Sequence, residues 1–246
     1  MMNERVRFAV SGSSISMAAL LIAAGMLSLG APSPAAAGVD KKVAQPHSMA
    51  HGRSLAGWLR EYWLAALDTG AEGDGKVLFM PIPDFAPTGE GDFTPDNPGV
   101  LAGTADVTIT PGTSFVLPLQ IWLGESTDPN GECDPAFDDP SLPDELFGTD
   151  DINAVVTLDG LPILVNNQDF YVPRTDLGCL TSGYTDDNLP FTAAIFFQGI
   201  GFLANPLPPG DHILTLDGNF IVRDESLGVG TFGVRFENTW NITVAP

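Results

Sequence analysis

Seven residues near the middle of the chain, Asp128-Pro-Asn-Gly-Glu-Cys-Asp134, place oxygen-bearing side chains at alternate positions: Asp128, Asn130, Glu132 and Asp134. That donor set suits a hard cation. Ca2+ takes roughly six to eight oxygens from carboxylates and carbonyls on a flexible loop, and Gly131 supplies the turn. The spacing is only partly that of a calcium loop, because the glycine falls early and no acidic residue stands at the closing position. The plain alternative is a solvated acidic loop.

Other chemistry-bearing residues are scattered. His47 and His51 stand four apart, a spacing that pairs metal ligands on one helical face, but no third ligand accompanies them. His212 follows Asp211 after a proline turn; as a general base it would need a nucleophile that the sequence does not supply. Asp106, Asp169 and Asp217 lie in or beside expected strands and are the first candidates for acid-pair hydrolysis of a glycan or another polymer. Outward-facing strand or turn aspartates are the ordinary reading of such positions. Asn241-Ile-Thr243 matches a glycosylation acceptor but falls in an expected strand. Nucleophile elbows, zinc-protease helices, phosphate loops and two-cysteine metal clusters are absent from the sequence.

Cys133 and Cys179 are the two cysteines of the chain. In an oxidising compartment their default is one disulfide. The compartment is indicated by the N-terminus. Arg5 and Arg7 precede an apolar run over 17–29, and Pro34-Ala-Ala-Ala37-Gly38 offers the small residues of a cleavage site. The expectation is a signal peptide over 1–37, cleaved after Ala37, with the mature protein periplasmic or extracellular. The apolar run is short for a membrane span, and no second long apolar stretch follows.

Stepping from residues to the elements that must hold them, 38–50 reads as a flexible, polar lead-in. The one convincing helix covers 51–68. Leu55, Trp58, Leu59, Tyr62, Trp63 and Ala66 share one sector at helical period, with Arg53, Arg60 and Glu61 outside it. Gly70 follows as a C-terminal cap, and Gly57 weakens the helix unless packing carries it. Trp58, Tyr62 and Trp63 on one face form either a ligand platform or, as such faces usually do, a buried contact with a sheet.

The remainder reads as short strands. They are expected at 77–80, 100–110, 114–122, 152–158, 161–165, 170–172, 191–197, 201–203, 212–216, 219–222, 231–236 and 239–244. Pro111-Gly112 and Asp159-Gly160 are turn dipeptides between such runs. The 48 glycines and prolines punctuate the chain at close spacing. Many short strands with turns between them predict a mostly β protein: an antiparallel β-sandwich or jelly roll with one N-terminal amphipathic helix. The domain organisation expected is a single β-rich domain over 51–246 with an acidic insertion over 123–151. That insertion carries ten acidic residues, no basic ones and four prolines.

Three segments carry a resemblance. They are Ser54-x3-Trp58-x3-Tyr62-Trp63; Val100-Leu-Ala-Gly103 with Val107-Thr-Ile-Thr-Pro-Gly-Thr-Ser-Phe-Val-Leu-Pro118; and Thr157-Leu-Asp-Gly160 with Pro206-Leu-Pro-Pro-Gly-Asp-His-Ile-Leu-Thr215 and Asn241-Ile-Thr-Val244. In these the chain resembles an uncharacterised family of secreted, mostly bacterial β-sandwich-like proteins. The resemblance implies a fold and brings no catalytic residues. It departs over 64–99, where a further tryptophan and a tighter Asn-Pro-rich stretch are expected.

The formal net charge is -21, and removing the leader with its two arginines and one glutamate takes it to -22. No lysine or arginine lies between Lys76 and Arg174. Such a surface repels nucleic acid and anionic lipid, and it favours cations or cationic partners. The functional expectation is an exported, non-catalytic binding or structural protein, calcium-stabilised if the loop is a site, with a cation, glycan or cell-surface partner. The alternative is a secreted hydrolase working through paired carboxylates. Oligomeric state is not legible.

Overall fold

The structure, a computed structural model, describes residues 42–69, 75–164, 167–180 and 193–246. Among them, ten strands form two sheets packed face to face. The smaller sheet runs β1 (Val77–Phe79), β4 (Ser114–Ser126), β8 (Ala193–Ala204), β7 (Tyr171–Leu180). The larger runs β2 (Asp84–Pro87), β3 (Gly99–Ile109), β10 (Phe232–Val244), β9 (Gly210–Val222), β5 (Ile152–Leu158), β6 (Leu161–Leu164). Helix α1 (Leu55–Leu64) lies on the outer face of the smaller sheet. This is the expected mostly β sandwich with one N-terminal helix.

It is not purely antiparallel. β1 pairs with β4 and β3 pairs with β10 in parallel. The cause is the Pro111-Gly112 turn, closed by a hydrogen bond from Thr113 N to Thr110 O with Gly112 at φ 81°. It carries the chain across to the other sheet instead of folding a hairpin. The flank of β3 is then filled by the last strand, which runs the same way. Asp159-Gly160, both at positive φ, does make the expected tight hairpin between β5 and β6.

Several expected strands are halves of longer ones. The described part of the run 191–197 and the run 201–203 belong to one strand, β8, whose residues are all buried; 191 and 192 lie outside the described residues. It is central, with α1 and the second sheet on opposite faces, so it carries a near-continuous apolar run. Gly199, in the gap between the two expected runs, and Gly201, at the start of the second, are close approaches. A Cβ at Gly199 (φ 148°) would lie 2.1 Å from the Gln120 carbonyl oxygen, and one at Gly201 would lie 2.8 Å from a Leu59 methyl. Likewise 212–216 with 219–222 form β9, and 231–236 with 239–244 form β10. β2 had no counterpart in the sequence reading.

Helix α1 begins four residues later than expected, because His51 and Gly52 take positive φ in a turn. Ser54 caps it, its hydroxyl accepting from Gly57 N at 3.2 Å. A single π-helical turn, Ala65–Thr69, follows; the Gly70 cap lies outside the described residues, as does the leader over 1–37. From the lead-in, Val43 is buried and bridges Ala204, extending the far side of β8. Trp58 and Leu59 are almost wholly buried, and large apolar side chains so placed contribute about 2–3 kcal/mol each.

Candidate functional site

Where β1 stops, the sandwich stays open. β1 pairs only with Ser114, Phe115 and Val116, and the chain then crosses through 80–83 to β2 in the other sheet. Among the described residues, β4 meets no strand on that side until the acidic insertion returns. There Asp139 N donates to Glu125 O (2.8 Å), Glu125 N donates to the Asp139 carboxylate (3.0 Å), and Ser126 bridges Asp138. The free stretch of β4 therefore runs over 117–124. Behind it lies a cleft of about 170 Å3. Leu117, Leu119 and Trp122 wall it from β4, and Phe220, Phe232 and Val234 from the larger sheet. Ile82 and Pro83 of the crossing link and Trp63 of α1 complete its rim.

The lining is mostly apolar, and four of its buried polar atoms have no partner. β4 carries a bulge: Pro118 faces Gly201 and Gln120 faces Ile200, leaving Leu119 extra. A bulge re-aims the side chains beside it. Here it turns Gln120, 0% exposed, towards the larger sheet. The amide reaches β9 at Gly218, where an added Cβ would lie 2.4 Å from Gln120 Nε2. Both Gln120 Oε1 and Nε2 are buried without a hydrogen-bond partner. So are Asn238 Oδ1 of β10 and the indole nitrogen of Trp63, and both residues line the same cleft. Buried polar atoms are nearly always paired, so several orphans around one cavity need a cause. Trp240, also on the wall, shows the ordinary state: its Nε1 donates to Pro81 O at 2.8 Å.

Of the three aromatic residues expected on one helix face, the structure divides the roles. Trp58 Nε1 donates to Ala50 O (2.8 Å), and the Tyr62 hydroxyl donates to Met80 O (2.9 Å); both rings are core. Burial holds the Tyr62 phenol well above its ordinary range. Trp63 alone reaches the cleft.

The disulfide between Cys133 and Cys179 is formed, with 5.9 Å between Cα atoms. It ties the acidic insertion to β7. Gln198 of β8 holds the same insertion from inside, donating to Leu142 O (2.8 Å) and accepting from Leu142 N (3.0 Å). Trp122 Nε1 adds a bond to Pro140 O at 3.1 Å. Within the loop, the Asp128 carboxylate accepts from the backbone N–H groups of Asn130, Glu132 and Asp134 at 2.8, 3.1 and 3.1 Å. These bonds hold its pKa below the ordinary aspartate value. The Asp134 carboxylate caps the short 3-10 turn Pro135–Phe137 through Ala136 N. Both side chains thus satisfy backbone donors. Among the described residues, no three His, Cys, Asp or Glu side chains group as a metal site requires.

His51 Nε2 meets the Ser114 hydroxyl at 3.0 Å, while His47 is exposed, so the two are not drawn together by a shared ligand. His212 is a clamp: Nδ1 meets the Asp159 carboxylate and Nε2 the Pro208 carbonyl, each at 2.9 Å. Burial disfavours its charge, but those two bonds outweigh it and raise its pKa above the ordinary value. Asp106 accepts from the Asn241 amide, Asp217 pairs with Arg235, and Asp169 is exposed. All three lie away from the cleft lining. Asp139 is the carboxylate pushed upward, by burial first and by its neighbour Asp138.

Sequence reasoning missed Gln120 and Asn238. The available cue was Gln120 inside the apolar run Phe115-Val-Leu-Pro-Leu-Gln-Ile-Trp122, where a polar amide has no business unless it finds a partner. The chain matches no protein-family model, and no curated protein matches it.

Proposed function

We propose that this chain is an exported, non-catalytic binding protein whose site is the cleft between the two sheets beside β4. The observation that carries the reading is Gln120: wholly buried, turned inward by a bulge, and unpaired at both amide atoms on the wall of an apolar cavity. An unpaired buried polar group costs about 1–3 kcal/mol, a loss of stability of the kind that functional sites carry. Export rests on the leader pattern of 1–37 and agrees with the disulfide. The cavity is of the size that takes one aromatic ring or branched aliphatic group, judged against an engineered cavity of about 150 Å3 that binds benzene.

The test is a titration with indole or toluene, following tryptophan fluorescence, since Trp63, Trp122 and Trp240 all line the cleft. Saturable binding that is abolished by the cleft-filling Val234→Trp supports the reading. Absence of binding, or binding indifferent to Val234→Trp, refutes it. N-terminal sequencing of the exported protein checks the compartment, with Gly38 expected as the first residue.

A further inference from the structure

We infer that the natural occupant is an extended peptide of another protein, added as a strand to the free side of β4, with one large apolar side chain in the cleft and basic residues at its flanks. The inference rests on the cleft being the binding site and names what fills it. Three observations converge.

The first is the edge. The free stretch over 117–124 is bounded by β1 at Val116 and by Asp139 at Glu125, so it is a slot of fixed length. By the two-residue alternation from Glu125, the N–H and C=O groups of Leu123 and Ile121 point to the open side. Pro118, which faces the same side beyond the bulge, needs no N–H partner there. The insertion already pairs with Glu125 and Ser126 as a strand would, and a peptide continues that pairing.

The second is the cavity. Its volume of about 170 Å3 is below the roughly 300–1,000 Å3 of drug-sized ligand sites and fits one side chain. Strand addition works in this manner, with the main chain paired along an edge and side chains read by pockets.

The third is charge. No lysine or arginine occurs in the sequence from Val77 to Pro173, which includes β4 and the whole insertion framing the slot. An acidic surface of this kind selects a basic partner and accelerates its arrival.

The experiment uses the mature protein and an array of eight-residue peptides with alternating threonine and apolar residues, Phe, Leu, Trp or Val at the centre, and lysine at both ends. Affinity is read by fluorescence polarisation. Binding is expected for at least one central residue, weakened at least tenfold by replacing the terminal lysines with glutamate. N-methylation of the peptide amides on the pairing side should weaken it at least tenfold, while N-methylation on the other side leaves it within threefold. Leu123→Pro removes an edge N–H and should act like the first methylation; the methylated peptides give the same answer on the unaltered fold. If indole binds but no peptide does, the cleft reading stands and the peptide inference falls. If neither binds, both fall. Concentration-dependent dimers broken by Leu123→Pro would make a second copy the occupant, and so overturn the inference.

Discussion

Two buried glutamines on adjacent strands make opposite predictions, and the contrast tests the central argument directly. Gln198 of β8 has both amide atoms bonded to the Leu142 backbone, whereas Gln120 of β4 has neither atom bonded; each is 0% exposed. Methionine matches glutamine in chain length and flexibility without the amide. Gln198→Met strands a buried N–H and a buried C=O of Leu142, at about 1–3 kcal/mol each, so a loss of about 2–6 kcal/mol is expected. Gln120→Met removes two orphaned atoms and strands nothing, so a gain of about 2 kcal/mol is expected. For a chain of this length about 1 kcal/mol moves Tm by roughly 2–4 °C. Gln120→Met should therefore melt about 4–8 °C higher than the parent, and Gln198→Met lower by at least as much. The assay is calorimetry of the unliganded protein, with urea unfolding as a check on the slope. If both variants lose stability alike, Gln120 is satisfied in solution by water or a neighbour, and the argument for an amide-seeking cleft fails. A gain in stability with a loss of indole and peptide binding is the expected signature of a site that costs stability.

Other consequences can be checked in parallel. Gly57→Ala should stabilise by about 0.5–1 kcal/mol, because an added Cβ meets only ordinary contacts with Ser54 and Arg53; urea midpoints will show it, and a loss would reveal a contact missed at this turn. Replacing both Cys133 and Cys179 with alanine should cost about 4 kcal/mol on the chain-entropy account of a loop of 46 residues. Thiol labelling of the unreduced parent should find no reactive cysteine. The His212 pKa is raised in the fold, so its contribution is complete below the unfolded value and is lost as pH rises through the folded one. For Asp159 burial pushes the pKa up, but the hydrogen bonds from His212 and Ile213 N with the nearby positive charge together lower it, so its contribution is lost instead as pH falls. Melting between pH 6 and 8 should decline more steeply in the parent than in His212→Gln; equal slopes would place the titration elsewhere.

Much of the scaffold was legible in the residues alone. Runs of strand formers marked β5 and β3, the helical period marked the buried face of α1, and Asp159-Gly160 marked its hairpin, because each is a local preference of adjacent residues. The disulfide followed from having two cysteines and a leader pattern. What the sequence misplaced is equally instructive. Gly199 fell in the gap left between two expected strands, yet it is a point where the Gln120 backbone presses close, and only the packed neighbours reveal that. The parallel pairing of β3 with β10 was hidden because Pro111-Gly112 has the same composition whether it folds a hairpin or crosses between sheets.

The candidate site belongs almost wholly to tertiary structure. The sequence determined that this protein is acidic, β-rich and built around an aromatic helix, since charge, period and turn chemistry are properties of neighbouring residues. Tertiary structure decided that β1 stops at Phe79, that a bulge at Leu119 turns Gln120 inward, and that Gln120, Asn238 and Trp63 line one cavity. Those facts depend on which distant strands lie side by side, and an amide becomes an orphan only when every neighbour that could have answered it has been placed elsewhere.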